Sequence, residues 1–278
     1  MADVQDKAFY EANGYVVVKG LFSADEVAAY REHFMVVRAE GKKPGDMVAD
    51  TKKVGDPLKQ FPRMIHMHRW DQTSLDFVLN ECIADCLTAF LGDDPLAVQT
   101  MLYFKPAGAR GQALHQDNFY LRASPGTCMA AWLALDPCTE ENGCMRVVPG
   151  SHDWPILCPV EADTAASFTN VTVPIPANMD AVPVLMDAGD VLFFNGSLVH
   201  GSYPNTTESQ FRRSLIGHYI GSRTEQVSKF DQPVLRMDGT AYEIDGVEEG
   251  GPCGVWVDRN GKLEIELSDR ELTAAGHE

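Results

Sequence analysis

The pattern with the most chemical content in this chain of 278 residues is His115-Gln116-Asp117. In an extended strand, side chains two residues apart point to the same side, so that His115 and Asp117 can converge on one point. A neutral imidazole and a carboxylate suit a divalent first-row metal ion. Alone, the pattern is weak evidence, because a surface histidine beside a solvated carboxylate occurs by chance in many chains.

A third candidate ligand, His200, follows an apolar run and a turn. Two histidines and one carboxylate form a facial triad, which leaves three positions of an iron ion open for a chelating co-substrate and dioxygen. Twelve residues later, Arg212 lies on a strand-like segment and can bind the far carboxylate of such a chelator in a bidentate manner. Arg213 faces the other side of a regular strand and is interpreted as a surface charge.

Strand-like runs separated by Gly and Pro turns must position these residues. After Pro95 the chain alternates short β-prone runs with turns such as Asn142-Gly143 and Pro149-Gly150. Many short strands of this kind are typical of a β-sandwich or barrel. The predicted strands are Val98–Phe104, Met129–Leu135, Met145–Val148, Asp190–Asn195 and Arg212–Ile220, with an earlier one at Tyr15–Val18 and a later one at Gly254–Val257.

Helices are predicted before this β-rich part. Ser23 with Glu26 forms a capping box, which predicts a helix running to about Glu40. Apolar positions at helical spacing over Leu75–Leu91 predict one helix that ends at Gly92 and packs flat on a sheet.

Two segments are predicted to lie at the mouth of the site. The segment Gly41–Gln60, which includes a predicted mobile loop at Gly41–Pro57, is rich in Gly, Lys, Pro and Asp. The segment Trp154–Pro183 has several prolines and is predicted to be a long insertion over one face. Both could close over a substrate.

The motifs taken together resemble those of the phytanoyl-CoA dioxygenase family of iron(II)- and 2-oxoglutarate-dependent oxygenases. The resemblance runs in family order across residues 96–220, and the N-terminal strand and helix also fit. Each motif alone is unspecific, but the combination is highly specific. The matching motifs are Met101-Leu-Tyr-Phe-Lys-Pro, His115-Gln-Asp117, Ala131-Trp132, Glu141-Asn-Gly-Cys-Met-Arg-Val-Val-Pro-Gly-Ser-His152, His200-Gly-Ser202 and Phe211-Arg212.

The resemblance implies a mainly β fold with flanking helices, built on a double-stranded β-helix, which is a cupin-like jelly roll. It implies one oxygenase domain over residues 1–278, with helical support over about 1–95, the β-helix over about 96–222 and a C-terminal extension over about 223–278. It also implies that His115, Asp117 and His200 bind iron(II) and are the catalytic centre.

The resemblance further assigns a 2-oxoglutarate site. Arg212 would bind the distal carboxylate, with Ser214 beside it on the same strand face, and Met101, Trp132 and Ser202 match positions that line the co-substrate. Met101 and Trp132 fit ordinary core packing equally well. Relatives add a basic or polar group from the segment before the barrel, here Arg63-Met-Ile-His66-Met-His68, and no lysine there matches. His152 is interpreted as part of a structural turn, and His218 as a satisfied core or near-core histidine.

The implied reaction couples oxidative decarboxylation of 2-oxoglutarate, which yields succinate and carbon dioxide, to hydroxylation of an unactivated C–H bond. Related halogenases replace the metal carboxylate with a small residue, so Asp117 favours hydroxylation. Desaturation, epoxidation and ring formation stay open, as does the substrate. Candidate substrate contacts are Tyr103, Gln112, Asn118 and Tyr120. The alternatives are a non-catalytic metal-binding jelly roll and a cupin-type metalloenzyme that does not use 2-oxoglutarate.

Composition limits the partners. The net charge of -17 argues against nucleic acid, whose phosphates need a basic protein face. No apolar run reaches the roughly 18 residues of a membrane span, and the polar N-terminus resembles no secretory signal. We therefore expect a cytoplasmic protein with a small-molecule substrate, no membrane contact and an oligomeric state that the sequence leaves open.

The seven cysteines form no CxxC pair and are odd in number. We expect neither a disulfide framework nor a zinc site. Cys82 and Cys86, four residues apart on the predicted helix, are interpreted as small buried hydrophobic residues.

Overall fold

The computed structural model describes residues 3–47 and 55–271. Residues 48–54 of the predicted loop Gly41–Pro57 lie outside the described residues. The described helices are α1 (Val4–Asn13), α2 (Ala24–Ala39), α3 (Gln72–Val78), α4 (Glu81–Leu91) and the short α5 (Asn118–Leu121).

Most of the strands follow α4 in the chain. In chain order they are β1 (Tyr15–Val18), β2 (Asp46–Met47), β3 (Arg63–Ile65), β4 (Pro95–Tyr103), β5 (Gln112–His115), β6 (Met129–Ala134), β7 (Met145–Val147), β8 (Val160–Glu161), β9 (Val171–Thr172), β10 (Val182–Val184), β11 (Val191–Asn195), β12 (His200–Ser202), β13 (Ser214–Gly221), β14 (Gln226–Ser228), β15 (Val234–Arg236), β16 (Ala241–Tyr242), β17 (Asp245–Val247), β18 (Pro252–Arg259) and β19 (Lys262–Glu271).

Two antiparallel sheets form the core. The larger has the order β1-β11-β6-β13-β4-β15-β16, with β3 also paired to β4 and β2 paired to β3. The smaller has the order β10-β7-β12-β5. Strands β4 to β7, and again β10 to β13, alternate between the two sheets, which is the connectivity of a jelly roll. The predicted fold, mainly β with flanking helices, is confirmed.

The central strands of the larger sheet, such as β6 and β13, are buried on both faces. In β6, Ala130, Trp132 and Ala134 pack toward the smaller sheet with Met145 and Val147. Its alternate residues Ala131 and Leu133 belong instead to the core under the helices, with Phe34, Phe77, Leu87 and Phe90. A strand covered on both sides is apolar at every position, which explains why its sequence shows no alternation of polar and apolar residues.

The start of α2 and the end of α4 follow the sequence signals. Ser23 accepts a hydrogen bond from the Glu26 N–H, and the Glu26 carboxylate accepts one from the Ser23 N–H, so the predicted capping box of α2 is confirmed. Gly92 ends α4 in the left-handed conformation, as predicted.

The prediction of one helix over Leu75–Leu91 is wrong. The chain breaks at Leu79 and Asn80 into α3 and α4. Asn80 has an extended backbone, and its side-chain oxygen accepts from the N–H groups of Cys82 and Ile83. An asparagine caps a helix better than it extends one, so the cap prevails over the apolar periodicity.

The predicted insertion Trp154–Pro183 covers the outer face of the smaller sheet. Leu157 and Val173 pack there on Leu114 of β5 and on Val199. The C-terminal hairpin β18–β19 then packs on the insertion, where the ring centroids of Trp154 and Trp256 lie 5.1 Å apart.

The expectations for the cysteines need two corrections. Cys158 of the insertion and Cys253 of β18 form a disulfide, which the sequence hides because 95 residues separate them. Cys86 is buried as predicted, but Cys82 is exposed, because the break before α4 puts it in the exposed first turn of that helix.

Removing the disulfide should destabilise the protein. For Cys158→Ser we expect the free energy of unfolding to fall by about 2–4 kcal/mol, because the cross-link restricts the unfolded chain. Denaturant unfolding without reductant measures this. Cys82→Ser, which alters an exposed free thiol, is the matched control and should change little. Titration of seven free thiols in unreduced, denatured protein would contradict the pairing.

None of the helices in the described ranges is long and apolar enough to cross a membrane.

Candidate metal and co-substrate site

The smaller sheet brings two of the predicted ligands together. His115 ends β5 and His200 begins β12, and the antiparallel register places them opposite each other. Asp117 lies two residues beyond the end of β5, with helical dihedral angles (φ -63°, ψ -34°) at the start of α5. The predicted reason for its convergence with His115, alternation in an extended strand, is therefore wrong. A strand end followed by a tight helical turn achieves the same result.

The three ligand atoms form a compact buried cluster. Asp117 Oδ1 lies 3.5 Å from Nε2 of His115 and 3.5 Å from Nε2 of His200. All three atoms lie within 4.8 Å of one another, and all three residues are buried. Two imidazoles and one carboxylate are a suitable donor set for iron(II).

The histidine tautomers also fit a metal. Nδ1 of His115 lies 2.9 Å from the carbonyl oxygen of Ala113, and Nδ1 of His200 lies 2.9 Å from that of Leu198. A carbonyl only accepts, so each Nδ1 carries the proton and donates it. The lone pair of each Nε2 then points away from the backbone and suits a metal ion, which at His115 would displace the hydrogen bond that Nε2 accepts from the Gln112 amide nitrogen at 3.1 Å.

Electrostatics favour the ionised carboxylate. Burial raises the pKa of Asp117, but the facing imidazoles, that of His200 foremost, outweigh it and hold this pKa well below its ordinary value. Burial lowers the pKa of His115. Burial also lowers the pKa of His200, but the attraction of Asp117 outweighs it and raises that pKa overall. Metal binding needs an ionised carboxylate and neutral imidazoles, so iron competes with a proton at His200.

The second carboxylate oxygen of Asp117 has its own partner. Nε2 of His218, on β13, lies 3.1 Å from Asp117 Oδ2. The prediction of a near-core histidine missed this contact. A signal was present, because His218 follows Arg212 by an even number of residues and so shares its face of the strand. His218 leaves Oδ1 alone for the metal, which favours monodentate binding.

Removing this hydrogen bond should weaken iron binding. For His218→Ala we expect the iron affinity to fall about 10- to 100-fold, as for other losses of hydrogen bonds to metal ligands. His218→Gln keeps an N–H donor and should recover part of the loss. Competition titration with a chelator under anaerobic conditions measures both. Equal affinity in His218→Ala and the wild type would contradict the assignment.

Arg212 lies next to the same site, just before β13. Its side chain is 2 % exposed and lies over the Trp132 ring, 5.1 Å from the ring centroid. Nε donates to the Gly143 carbonyl at 3.0 Å, and Nη1 donates to Ser214 Oγ at 3.1 Å. Among the described residues, Nη2 has no acceptor, so its two N–H groups are available to a ligand.

Arg213 points the other way, as predicted. Its guanidinium donates to both oxygens of Asp136, at 2.8 and 2.7 Å. It is thus a paired and partly exposed cation, and it borders neither of the cavities described below.

A recess joins the metal cluster to Arg212. Its walls include all three predicted iron ligands and Arg212, together with the predicted co-substrate residues Met101, Trp132 and Ser202. Ser214 contacts the site only through Arg212. The recess adjoins a larger cavity of about 390 Å³, and both are bordered by Met101, Tyr103, Gln112, His115, Asp117 and His218.

Three of the four predicted substrate contacts border the larger cavity, namely Tyr103, Gln112 and Tyr120. The Gln112 amide nitrogen lies 3.1 Å from Nε2 of His115, directly beside the metal ligands. Asn118 is not at the cavity, contrary to the prediction. Its side chain closes the turn after α5 with two hydrogen bonds to the Ala123 backbone, because a short polar side chain at a helix end readily bonds to nearby backbone.

The basic residues of the segment before the barrel lie in different environments. Arg63 borders the larger cavity, with its guanidinium 5.6 Å from the Phe168 ring centroid. His66 and His68 are instead buried, paired with Asp231 and Thr100. Both predicted mouth segments contribute to the cavity walls, through Asp46, Met47 and Leu58 in one and Phe168, Thr169 and Asn170 in the other.

A further missed residue is Lys105, a buried cation beside Ser202 and Gly143. The family motif that ends Phe-Lys-Pro contained it, but nothing in the sequence shows that it lies next to Ser202, 97 residues away.

Comparisons with known proteins identify the family of this chain. The phytanoyl-CoA dioxygenase (PhyH) family model matches residues 10–214. The peroxisomal phytanoyl-CoA dioxygenase of Rattus norvegicus is 28% identical over 238 residues, which cover 81% of this chain and 70% of the relative.

Two solved structures are similar in fold. The non-heme α-ketoglutarate-dependent carbocyclase SnoK from nogalamycin biosynthesis has a TM-score of 0.64 at 23% identity, covering 81% of this chain and 86% of its own. The epimerase SnoN, in complex with Fe3+, α-ketoglutarate and nogalamycin RO, has a TM-score of 0.63 at 22% identity, covering 94% and 97%. Because the family model spans most of the chain, the chain belongs to the phytanoyl-CoA dioxygenase family of iron- and 2-oxoglutarate-dependent oxygenases.

Proposed function

We propose that this dioxygenase hydroxylates an unactivated C–H bond of a small molecule, with iron(II) bound by His115, Asp117 and His200. In the same proposal Arg212 binds the distal carboxylate of 2-oxoglutarate. The observation that carries it is the recess bordered by both the metal cluster and Arg212. A metal site adjacent to a buried guanidinium with unused donors suits a co-substrate that has a chelating end and a carboxylate end.

The protein residues have separate tasks in this mechanism. His115 and His200 present Nε2 because the backbone holds Nδ1 of each ring. His218 orients Asp117 through Oδ2, so that Oδ1 faces the metal position. Trp132 lies under the Arg212 guanidinium, and Gly143 and Ser214 hold it in place, so the carboxylate site is preformed. When bound, iron and 2-oxoglutarate supply the activation of dioxygen, with release of succinate and carbon dioxide.

The presence of Asp117 supports hydroxylation over halogenation, since its carboxylate takes the metal position that a halide would need. SnoK and SnoN are named as a carbocyclase and an epimerase, so this fold also carries other oxidative outcomes. Product analysis with the true substrate decides between hydroxylation and these alternatives.

The larger cavity supports a small-molecule substrate. Its volume of about 390 Å³ lies in the range of ligand pockets, and Tyr103, Tyr120 and Phe168 give it aromatic walls. Burial raises the pKa of Tyr120 to about 12, so its hydroxyl stays protonated at neutral pH.

Two other functions fit the site less well. A non-catalytic jelly roll that keeps the metal only for stability has no use for a buried arginine with unused donors. A cupin-type metalloenzyme without 2-oxoglutarate likewise leaves the Arg212 recess without a role. The larger cavity beside the metal cluster also argues against the non-catalytic jelly roll, which needs no space for a substrate.

The proposal is tested in two steps. Anaerobic calorimetry of the iron(II)-loaded protein should show binding of 2-oxoglutarate. A panel of small molecules is then scored by substrate-stimulated succinate release in air. Absence of 2-oxoglutarate binding to the metal-loaded protein would reject the proposal, and a compound that stimulates succinate release identifies the substrate class.

We further propose that residues 1–278 act as one oxygenase domain, with the catalytic β-helix between the helical support and the C-terminal extension. A cytoplasmic location is also part of this proposal, and the Cys158–Cys253 disulfide, which is more typical of an oxidising compartment, argues against it. Thiol labelling in intact source cells, followed by fractionation, distinguishes the two locations.

A further inference from the structure

Lys105 is a buried lysine that the mechanism above does not use. It lies two residues after the end of β4, is 3 % exposed and has a left-handed backbone (φ 37°). A residue other than glycine adopts this conformation at a cost and keeps it only where its surroundings hold it. Its carbonyl accepts from the Arg212 N–H at 3.1 Å, so Lys105 and Arg212 are tied together through the backbone.

The Lys105 ammonium has three oxygen partners and no carboxylate. Nζ donates to Ser202 Oγ at 2.8 Å, to the Gly143 carbonyl at 3.3 Å and to the Tyr203 carbonyl. Gly143 also accepts from Arg212 Nε, so one carbonyl connects the two cations. Among the described residues, neither cation has a carboxylate within 4.0 Å.

Two adjacent buried cations without a counter-ion are unfavourable in the protein alone. Burial, reinforced by the Arg212 charge, lowers the pKa of Lys105 well below its ordinary value. Burial also lowers the pKa of Arg212. A charge arrangement of this kind is stabilised when an anion binds beside it, and the recess between Ser202 and Arg212 is where such an anion would lie.

The hydroxyl of Ser202 links Lys105 to the recess. A serine hydroxyl has one hydrogen to donate and two lone pairs that accept. Lys105 occupies a lone pair, and among the described residues the hydroxyl hydrogen has no acceptor. Ser202 borders the recess together with Arg212, so this hydrogen can be directed into the recess.

We propose that Lys105 is a positioning residue for the co-substrate: by bonding to Ser202 Oγ, it turns the serine hydroxyl toward the carboxylate that Arg212 binds. The distal carboxylate of 2-oxoglutarate then receives donors from Arg212 and from Ser202, and the Lys105 charge strengthens the second of these. This inference rests on the proposed function, because it needs the carboxylate to lie at Arg212.

The competing explanation is that Lys105 only holds the surrounding backbone in place. The selectivity of the enzyme between two ligands distinguishes this explanation from the proposal. Anaerobic calorimetry on the iron(II)-loaded enzyme compares 2-oxoglutarate with 2-oxopentanoate, which has the same chelating end but no distal carboxylate. For Lys105→Met we expect the Kd for 2-oxoglutarate to rise about 10- to 100-fold, as for loss of a charge-assisted hydrogen bond, with the Kd for 2-oxopentanoate nearly unchanged. Equal weakening of both ligands, or of neither, overturns the proposal.

A double-mutant cycle tests whether Lys105 acts through Ser202. Because the two residues form one unit, the double variant with Ser202→Ala should bind 2-oxoglutarate within about threefold of Lys105→Met alone. Additive losses would overturn the proposal. Lys262→Met, at an exposed lysine of β19, is the matched control and should leave both affinities unchanged.

The test stays decisive if Lys105→Met does not fold. Ser202→Ala keeps the lysine and should alone reduce the preference for 2-oxoglutarate over 2-oxopentanoate about tenfold. An unchanged preference in that variant overturns the proposal. If the wild-type enzyme itself binds no 2-oxoglutarate, the proposed function fails. If it binds well and the variants bind equally well, only the role of Lys105 fails.

Discussion

Replacing His115 with alanine should abolish iron-dependent succinate formation. The variant loses one of the three proposed metal ligands, since Nε2 of His115 is the atom that faces Asp117 Oδ1 at 3.5 Å. It also removes one of the facing imidazoles that lower the pKa of Asp117, so the ionised carboxylate is less stabilised. Iron affinity should therefore fall by more than the roughly 100-fold typical of a lost hydrogen bond to a ligand. Chelator competition measures the affinity, and succinate release measures the activity.

Two further variants make this result specific. Asp117→Asn keeps the side-chain shape but removes the ligand charge, so it should lose iron binding as well. His33→Ala removes a histidine that pairs with Asp71 outside the cluster, and it should retain both iron binding and activity. Wild-type iron affinity and succinate formation in His115→Ala would place the metal elsewhere and refute the site.

Replacing Arg212 with alanine should leave iron binding intact and weaken 2-oxoglutarate binding. A guanidinium with two unused N–H groups can hold a carboxylate bidentately, and loss of one partner of a buried charge pair typically costs about 2–4 kcal/mol. This corresponds to an increase in Kd of roughly 30- to 1,000-fold. Anaerobic calorimetry on the iron(II)-loaded variant measures it. Because the chelating end is untouched, binding of 2-oxopentanoate should change much less.

The next residue supplies the control. Arg213→Ala removes an equal charge one position away, but that guanidinium pairs with Asp136 outside the recess. We expect unchanged 2-oxoglutarate affinity for this variant. Arg212→Lys keeps the charge and loses the planar fork, so it should bind between the wild type and Arg212→Ala. If Arg213→Ala were the weaker binder, the strand register assumed from the sequence would be incorrect.

The sequence predicted much of this site because the key signals are local. Ser23 and Glu26 lie three residues apart in a capping box, and Gly92 stops a helix by its own backbone freedom. Arg212 was separated from Arg213 because neighbouring side chains near a strand point to opposite sides. Each of these inferences needs only a few consecutive residues.

Local patterns failed where two adequate local structures competed. The apolar spacing of Leu75–Leu91 predicts one helix, yet the capping side chain of Asn80 divides it. Asn118 lies beside the metal motif, yet its side chain is used to close the turn to Ala123. In both cases a short polar side chain forms hydrogen bonds to the nearby backbone. The spacing of apolar residues carries no information about such bonds.

The sequence alone predicted the proposed ligands, His115, Asp117 and His200, and it determined the family order of the motifs around them. The tertiary structure decided which residues support them. His218 reaches Asp117 across 101 residues, Lys105 reaches Ser202 across 97, and Cys158 pairs with Cys253 across 95. These contacts depend on the order and register of strands in two sheets, and no pattern of neighbouring residues encodes that register.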